Sequence, residues 1–344
     1  MNQQFRRKNH YLPQMYLKNF TDEQNQLHSY RLNVSHERVH KWKQASAEGF
    51  AYHNDLYTYH DEQGETDAME GWFREKVEQP AAKALDKVIV NAQMTPSDWK
   101  TLIRFAFALD LRTPARMIQD MKRRNNTLPN LLDKALPEIV QEYQSLSSKE
   151  KANIVHRKRD ELFPFQVRVD QKKEDPVLEV SITNGRSLWL GTIKDRLART
   201  LPKVINQRWT IVHPAQGLTW FTSDSPVIRL NYYRKGKYDF HGGWGWPGCE
   251  IILPLSPTHL MYTRVGCKKQ WPHGTHLPVG FTQHIQKLLA EHAFLWIIAH
   301  QEDSAVTRLR PRIVNPQKFE EEKKFWEEWH SFNREAEQLF LQGK

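Results

Sequence analysis

The sequence is poor in cysteine and has no long apolar run. Its 344 residues include two cysteines, Cys249 and Cys267, too few for a disulfide framework or for a zinc site without several histidine ligands. No apolar stretch approaches the roughly 18 residues of a membrane helix, and none follows the basic residues at the start, as it would in a signal peptide. We therefore expect a soluble cytoplasmic protein with no membrane association.

Signatures of several common functional classes are also missing. The sequence shows no internal repeat and no low-complexity segment. The glycine-rich stretch HGGWGWPG lacks the Gly-Lys-Ser/Thr ending of a phosphate-binding loop. The 16 histidines follow no metal-binding spacing, and His53 and His60 have no further ligand at a suitable distance in sequence. Because it lacks that phosphate-binding ending, the glycine-rich stretch HGGWGWPG is interpreted as a loop.

Basic residues and tryptophan are abundant. Fifty Lys and Arg against 40 Asp and Glu give a formal net charge of +10 and a pI near 9.4. Such a balance favours an acidic partner, of which nucleic acid is the commonest. The 12 tryptophans are expected to fill a core or line a cleft, since indole is costly to expose.

Hydrophobic periodicity predicts an α+β fold as one domain, 1–344. Residues 1–65 read as an N-terminal motif and a hairpin, in which QLHSYRL and RVHKWKQ flank a polar turn. The helical part, 66–161, has one helix from Thr66 to Asn91 and a second from the cap signal TPSDW to about Arg124, where NNTLPN breaks it. A mixed β/α part, 162–300, and a charged C-terminal helix, 316–342, follow. We expect a helical first half packed on a mostly antiparallel β second half.

Three acidic residues stand out by their positions. Glu70 falls on the apolar face of its predicted helix, and either it is buried with a cation or it begins a solvated ladder with Arg74 and Glu78 at i,i+4 spacing. Asp110 is the single acid of a nearly all-apolar helix segment. Because Pro114 removes the hydrogen bond to the carbonyl of Asp110, the helix should bend or end there.

Asp110 and a third acid each allow a structural and a functional interpretation. Asp110 either pairs with Arg112 or Arg116 or forms one wall of a site. Asp224 lies in the turn of FTSDSPV, where it either bonds its own backbone or contributes to a site at the end of a strand.

The stretch NHYLPQMYLKNF at Asn9 to Phe20 closely resembles the opening motif of the bacterial DUF4238 family, a domain of unknown function. MEGWFREKVEQPAAKAL, LDLRTPARM, FTSDSPV and LPLSP are similar to later motifs of that family and occur in its order. Asp110 departs from the family pattern, in a region where glutamine is expected. The resemblance supplies no settled activity, but it implies that five separate segments converge on one polar centre.

The leading hypothesis is a nuclease of the toxin or antiviral-defence type, acting on DNA or RNA. The predicted site consists of His10, Gln14, Glu70, Glu78, Asp110, Arg112 and Asp224. Glu70, Asp110 and Asp224 would hold Mg²⁺ or Mn²⁺. Arg112 would stabilise charge at phosphorus and His10 would act as general acid or base.

Two other hypotheses remain open. One is a non-enzymatic module that binds nucleic acid, a nucleotide or a protein, with the aromatic stripe of the C-terminal helix as a docking surface for a protein partner. The other is a structural network of ion pairs buried in the core. A nuclease needs carboxylates within about 4–5 Å of one another at an open cleft, whereas a sealed cluster in which each acid meets an arginine indicates structure.

Overall fold

The computed structural model describes residues 5–61, 63–147, 149–150, 162, 165–170, 177–234 and 236–342. Helices in these ranges include α1 (Gln14–Leu17), α2 (Ala68–Phe73), α3 (Gln79–Ile89), α4 (Pro96–Arg112), α5 (Pro114–Ser145), α6 (Arg186–Asp195), α7 (Leu201–Val204), α8 (Val279–His292), α9 (Ser304–Leu309) and α10 (Pro316–Gln342). Within the same ranges, no helix combines the length and the apolar character that a membrane span requires.

The strands fall into two groups along the chain. The first group is β1 (Lys8–His10), β2 (Gln26–Arg31), β3 (Asn33–Val34), β4 (Trp42–Ser46), β5 (Tyr52–Asn54), β6 (Tyr59–Asp61) and β7 (Gly64–Thr66). The second group is β8 (Phe165–Asp170), β9 (Val177–Ile182), β10 (Thr210–His213), β11 (Thr222–Ser223), β12 (Ile228–Arg234), β13 (Lys237–Asp239), β14 (Glu250–Pro254), β15 (Leu260–Arg264), β16 (Thr275–His276), β17 (Trp296–Ala299) and β18 (Ile313–Val314).

Two larger sheets connect distant parts of the chain. One has the strand order β13-β12-β14-β15-β10-β16, antiparallel except for the parallel pair β10 and β16. The other has the order β11-β17-β2-β4 and is antiparallel throughout. The second sheet therefore joins the beginning of the chain to its last third. The predicted mixture of helices and strands is confirmed, but the predicted division into a helical first half and a β second half is wrong, because β1 to β7 precede the first long helix.

Local signals predicted several elements well. The predicted N-terminal hairpin is the antiparallel pair β2 and β4. At the start of α4, the Thr95 hydroxyl accepts from the Asp98 amide at 3.2 Å, and the Asp98 carboxylate accepts from the Thr95 amide at 2.8 Å. This reciprocal capping box, with Pro96 as the first helical residue, satisfies amide groups that have no partner within the helix. The C-terminal helix also lies where the sequence placed it.

The chain between α4 and α5 turns at a proline. Thr113 is extended, with φ −76° and ψ 148°, because the residue before a proline is disfavoured in the helical region. Pro114 then begins α5, so the expectation that a helix ends between Asp110 and Pro114 is confirmed. The predicted helix to Arg124 and break at NNTLPN are wrong, since α5 runs through that segment as far as Ser145. The part of the predicted helices at 151–161 lies outside the described residues.

Two π-helical turns interrupt helices just before a proline. The first, Arg74–Glu78, joins α2 to α3 and precedes Pro80; the second, Arg196–Thr200, joins α6 to α7 and precedes Pro202. Proline has no amide hydrogen for the carbonyl four residues earlier, and a π turn accommodates that loss by adding a residue to the turn. The predicted helix from Thr66 to Asn91 is therefore not one continuous α-helix, and the side chains after the first π turn point in directions that regular periodicity does not give.

The N-terminal stretch, residues 9–20, is buried and contacts the second half of the chain. Tyr16 is fully buried; its hydroxyl lies 2.5 Å from the Thr222 hydroxyl and donates to the Pro254 carbonyl at 2.8 Å. The Asn19 amide donates to the Leu255 carbonyl at 3.1 Å. The stretch therefore links β11 to the end of β14.

A buried ion pair fixes the C-terminal helix. The Arg186 guanidinium makes two bonds to Glu337, of 2.6 and 3.0 Å, and the Ser187 hydroxyl donates to the same carboxylate at 2.9 Å. The predicted aromatic stripe of α10 is divided between the core and the solvent. Trp329 is buried, whereas Phe332 is 65% exposed.

The hydroxyl of Tyr16 should contribute measurably to stability. Tyr16→Phe leaves the Pro254 carbonyl without its donor, and an unsatisfied buried group costs about 1–3 kcal/mol. Urea denaturation should show that loss in the free energy of unfolding. The control is Tyr233→Phe, which removes a hydroxyl bonded to Asp239 at 2.9 Å from a side chain that is 61% exposed. Equal effects of the two changes would contradict the proposed link.

Candidate functional site

Arg112, the last residue of α4, is a buried cation held by two parts of the chain. It is 1% exposed, and its Nη1 lies 2.7 Å from Glu78 Oε1. Its Nη2 donates to the backbone carbonyl of His10, and its guanidinium carbon lies 4.6 Å from the ring centre of Phe73. The outward ladder considered for Glu70, Arg74 and Glu78 does not form, because Glu78, the last residue of the π turn, pairs with Arg112 instead.

Glu70 lies beside this ion pair. The Asn9 amide nitrogen lies 3.4 Å from Glu70 Oε2 and its oxygen accepts from the Tyr57 amide at 3.0 Å. Burial raises the pKa of Glu70 to about 7, although nearby Arg112 opposes the shift. The carboxyl therefore changes charge near neutral pH. The Arg112 cluster is defined as Asn9, His10, Tyr57, Glu70, Glu78 and Arg112.

The side chains of His10 and Gln14 do not join the ion pair. His10 meets Arg112 through its backbone, while its ring Nε2 lies 3.0 Å from the Glu48 carbonyl. Since a carbonyl only accepts, Nε2 carries the proton. Burial lowers the pKa of His10, so the ring is a neutral donor to Glu48. Gln14 begins α1 and is half-buried.

Asp110 is buried, at 6% exposed, on the face of α4 that meets β12. Its Oδ2 accepts from the Trp244 indole at 2.9 Å and lies 3.4 Å from Arg229 Nε. Burial opposes its charge, but Arg229 and Arg116 together hold the pKa of Asp110 below its usual value. Its direct cationic partner is thus Arg229, in place of the predicted Arg112 or Arg116.

Asp224 bonds to the backbone of another segment. Its Oδ1 accepts from the Phe294 amide at 3.0 Å and its Oδ2 from the Leu295 amide at 2.8 Å, while its own amide donates to the Trp296 carbonyl at 3.1 Å. Burial raises the pKa of Asp224 to about 7, and the backbone amides oppose that rise. Asp224 therefore fixes the turn between α8 and β17.

The three acids predicted to bind a metal have separate sets of partners. Glu70 faces Asn9, Asp110 faces Trp244 and Arg229, and Asp224 faces backbone amides. Among the residues that the structure describes, no three His, Cys, Asp or Glu side chains are grouped so as to hold a metal ion. A site for Mg²⁺ or Mn²⁺ stays a prediction.

Asp110 forms part of the floor of an open cleft of about 650 Å³. The first turn of α5 contributes Ala115 and Arg116 to the cleft, and β12 contributes Arg229. The Asp110 cleft is defined as Asp110, Ala115, Arg116, Ile118, Gln119, Ser225, Arg229, Phe240, His241, His292, Ala293, Phe294, Leu295, Arg310, Lys318, Glu321, Glu322, Phe325 and Trp326. Cations and aromatic rings therefore meet at the amino end of a long helix.

Arginines outnumber acids next to the Asp110 cleft; Arg116 and Arg229 line the cleft, whereas Arg123, Arg124 and Arg196 lie outside its lining. Buried Asp120, one turn after Arg116 on α5, lies 3.7 Å from Arg116, 3.4 Å from Arg123 and 3.4 Å from Arg196. Arg124 lies near the same charges. Burial and the neighbouring arginines lower the pKa of Arg124 to about 10, although the negative charge of Asp120 opposes the shift. The arginine group is defined as Arg116, Arg123, Arg124, Arg196 and Arg229.

Unsatisfied nitrogens accompany this excess of charge. The Nε of Arg116 and the Nη1 of Arg124 are buried and have no hydrogen-bond partner within the described part of the chain. In folded proteins nearly all such groups have a partner in protein, water or ligand. Of these two residues, Arg116 lines the cleft, although the unsatisfied nitrogen itself is buried.

His292 gives the Asp110 cleft a neutral acceptor. Its Nδ1 lies 2.8 Å from the Ser225 carbonyl, so Nδ1 carries the proton and Nε2 has a free lone pair. Burial lowers the pKa of His292 to about 4. At neutral pH the ring can therefore accept a hydrogen bond from a ligand in the cleft.

Sequence reasoning found Asp110 but missed most of the cleft around it. Arg229, Trp244 and His292 come from a strand, a loop and a helix end far along the chain, and no local pattern pairs them with Asp110. The spacing of Arg116, Asp120 and Arg124 on α5 was a usable signal, because residues four apart share one helix face.

A family model described as "Protein of unknown function (DUF4238)" matches residues 8–303. The chain belongs to this family, as its motifs indicated. A search of curated proteins and a search of solved structures each found no match.

Asp224→Asn should lower the melting temperature. One carboxylate oxygen becomes an NH₂ group facing the amide of Phe294 or Leu295, which replaces a hydrogen bond with two opposed donors. A purely catalytic acid would tolerate this change. Differential scanning calorimetry measures the change. The control is Asp239→Asn, which alters a half-buried acid in β13. An unchanged melting temperature in Asp224→Asn would contradict the structural role.

Glu70→Gln should change how stability depends on pH. A carboxyl group whose pKa is higher in the folded state than in the unfolded state stabilises the fold. The full stabilisation is present below the unfolded-state pKa, and it is lost as the pH rises to the folded-state pKa. For Glu70 that loss falls between its usual pKa and about 7, and glutamine does not undergo it. The variant should therefore gain stability relative to wild type from about pH 5 to about pH 8, measured by urea denaturation. Glu75→Gln, whose side chain is 58% exposed, is the control, and parallel pH curves for Glu70→Gln and wild type would contradict the prediction.

Proposed function

We propose that the protein binds a nucleotide in the Asp110 cleft. The observation that carries the proposal is the set of cations that line the cleft beside the buried Asp110, namely Arg116, Arg229, Arg310 and Lys318. The planar guanidinium of arginine binds phosphate well, often through two parallel hydrogen bonds.

The start of α5 adds to the attraction for phosphate. Its first turn lines the cleft at Ala115 and Arg116, and the amino end of a helix carries partial positive charge. Pro114 has no amide hydrogen and the Arg116 amide bonds to the Thr113 hydroxyl at 3.4 Å, so the helix end acts mainly through its charge. A phosphate there would meet both the helix end and the Arg116 side chain.

Aromatic rings at the rim suit a base. Phe294 and Phe325 line the cleft and are 38% and 39% exposed, so a nucleobase can stack on either ring at little cost. The cleft volume of about 650 Å³ lies within the range of small-ligand sites. The exposed acid Glu321 favours ligands with hydroxyl or amine groups on that side, such as a ribose or a base, whereas Glu322 is already paired with Arg31 at 2.8 Å.

The bonding of the predicted catalytic acids favours binding over metal-dependent cleavage. Asp224 is committed to two amides and Asp110 to an indole and a guanidinium. A nuclease of DNA or RNA stays a prediction, which incubation of the protein with both nucleic acids, with and without Mg²⁺ or Mn²⁺, tests directly.

Arg116→Gln should weaken nucleotide binding. Hydrogen bonds to charged groups contribute about 1.5–3 kcal/mol, so the dissociation constant should rise about 10- to 100-fold. Isothermal titration calorimetry with ATP, AMP and adenosine measures the effect, and adenosine, which lacks phosphate, should bind much more weakly than ATP.

The matched control is Arg123→Gln. Arg123 also contacts Asp120, but its side chain is 56% exposed and it does not line the cleft. This variant removes the same charge from the same aspartate and should bind ATP as the wild type does. Equal weakening in both variants would indicate a general charge effect, and no heat of binding with any nucleotide at millimolar concentration would overturn the proposal.

A further inference from the structure

A second groove lies away from the Asp110 cleft, between the start of α4, the segment after α7 and the loop after β15. Its volume is about 530 Å³. Three partly exposed tryptophans line it, Trp99, Trp209 and Trp271. This tryptophan groove is defined by those three residues with Lys100, Arg208 and Lys268.

The charge of the tryptophan groove has one sign. Lys100, Arg208 and Lys268 are all exposed, and no Asp or Glu occurs among the described residues that line the groove. The Arg208 guanidinium donates to the Lys268 carbonyl at 3.3 Å, which keeps these two cationic residues adjacent. The Asp110 cleft, in contrast, contains three acids. The tryptophan groove is therefore complementary to a polyanion.

Two polar atoms at the tryptophan groove are without partners. Within the described residues, neither the indole nitrogen of Trp209 nor the side-chain oxygen of Gln207 has a hydrogen-bond partner. The Gln207 nitrogen donates to the Trp244 carbonyl at 2.5 Å, which fixes the amide and leaves its oxygen as an acceptor. A donor and an acceptor, both buried, thus lie beside the aromatic rings without a partner.

The rings are held in place by neighbouring aromatic side chains. Trp209 packs against Trp244 with ring centres 5.7 Å apart, and Trp99 meets His273 edge-on at 5.9 Å. Trp271 meets Phe281 edge-on at 5.6 Å. Rings held in this way lose little freedom when a base stacks on them.

We propose that the tryptophan groove binds single-stranded nucleic acid. Unpaired bases stack on the tryptophan faces while Lys100, Arg208 and Lys268 contact the phosphates, the combination by which proteins bind single strands without reading sequence. A duplex offers no free base faces and binds less well. This inference does not depend on nucleotide binding in the Asp110 cleft.

Fluorescence anisotropy with labelled oligo-dT and oligo-U of about eight nucleotides tests the proposal. Stacking contributes about 1–3 kcal/mol per base, so Trp271→Ala should weaken binding about 5- to 150-fold, whereas Trp271→Phe should restore most of the affinity. The control is Trp246→Ala, because Trp246 is 60% exposed and lies outside the groove. It should leave binding unchanged.

Salt dependence tests the phosphate contacts separately. Lys268→Gln should make the negative slope of log K against log salt shallower by about 0.7, the value for one phosphate contact on a single strand. Lys269→Gln changes the adjacent exposed lysine, which does not line the groove, and should leave the slope unchanged.

The outcomes separate this site from the Asp110 cleft. Arg116→Gln should leave oligonucleotide affinity unchanged even if nucleotide binding is lost. The proposal is overturned if neither oligonucleotide binds at low salt, if Trp271→Ala binds like wild type, or if poly-glutamate competes as well as oligo-dT does. The last result would show a general attraction for polyanions, without stacking.

Discussion

The buried charge of Arg112 imposes a constraint that much of the molecule satisfies. A guanidinium that is 1% exposed requires an acid and several acceptors, since an uncompensated buried charge costs several kcal/mol. Glu78 supplies the acid and the His10 carbonyl supplies an acceptor. The end of α4 is thereby attached both to the N-terminal stretch and to α3. Because α5 begins two residues after Arg112, the same contacts set the position of the helix end at the Asp110 cleft.

The motifs of the family acquire a physical meaning from these contacts. Its opening stretch meets LDLRTPARM through His10 and Arg112, meets FTSDSPV through Tyr16 and Thr222, and meets LPLSP through Asn19. Segments that are far apart in sequence are thus held together by groups that only a folded chain can satisfy. The segments meet, but not at the one polar centre that was predicted, because Glu70, Asp110 and Asp224 have separate partners. What the stretch supplies is a backbone carbonyl, a tyrosine hydroxyl and an amide.

Local signals predicted elements, whereas side-chain partners depended on tertiary structure. The Thr95 cap and the proline at 114 act within a few residues, so the start of α4 and its end near Asp110 could be read from sequence. Glu78 could not be placed, because the π turn before Pro80 changes the helix phase on which the periodicity argument relied. The cationic partner of Asp110 could not be predicted either. Arg229 reaches Asp110 from β12, which pairs with β14, and nothing near Asp110 in the sequence specifies that strand pairing.

The polar residues of the candidate sites differ in whether the fold supplies hydrogen-bond partners for their buried atoms. Asp224, with an amide on each oxygen, has little capacity left for a substrate, and these bonds offset part of the cost of burying its charge. Arg116, Trp209 and Gln207 each keep a buried polar atom without a partner in the described residues, which is costly unless water or a ligand completes the bonding. A ligand that supplies a missing hydrogen-bond partner therefore binds with more free energy than the contact alone provides. The bond also removes the cost of the unsatisfied polar atom in the free protein. Asp110 and Asp224 are therefore completed by the fold, whereas Arg116, Trp209 and Gln207, which we propose to bind ligands, are not; they share this state with structural groups such as the Nε of Arg112.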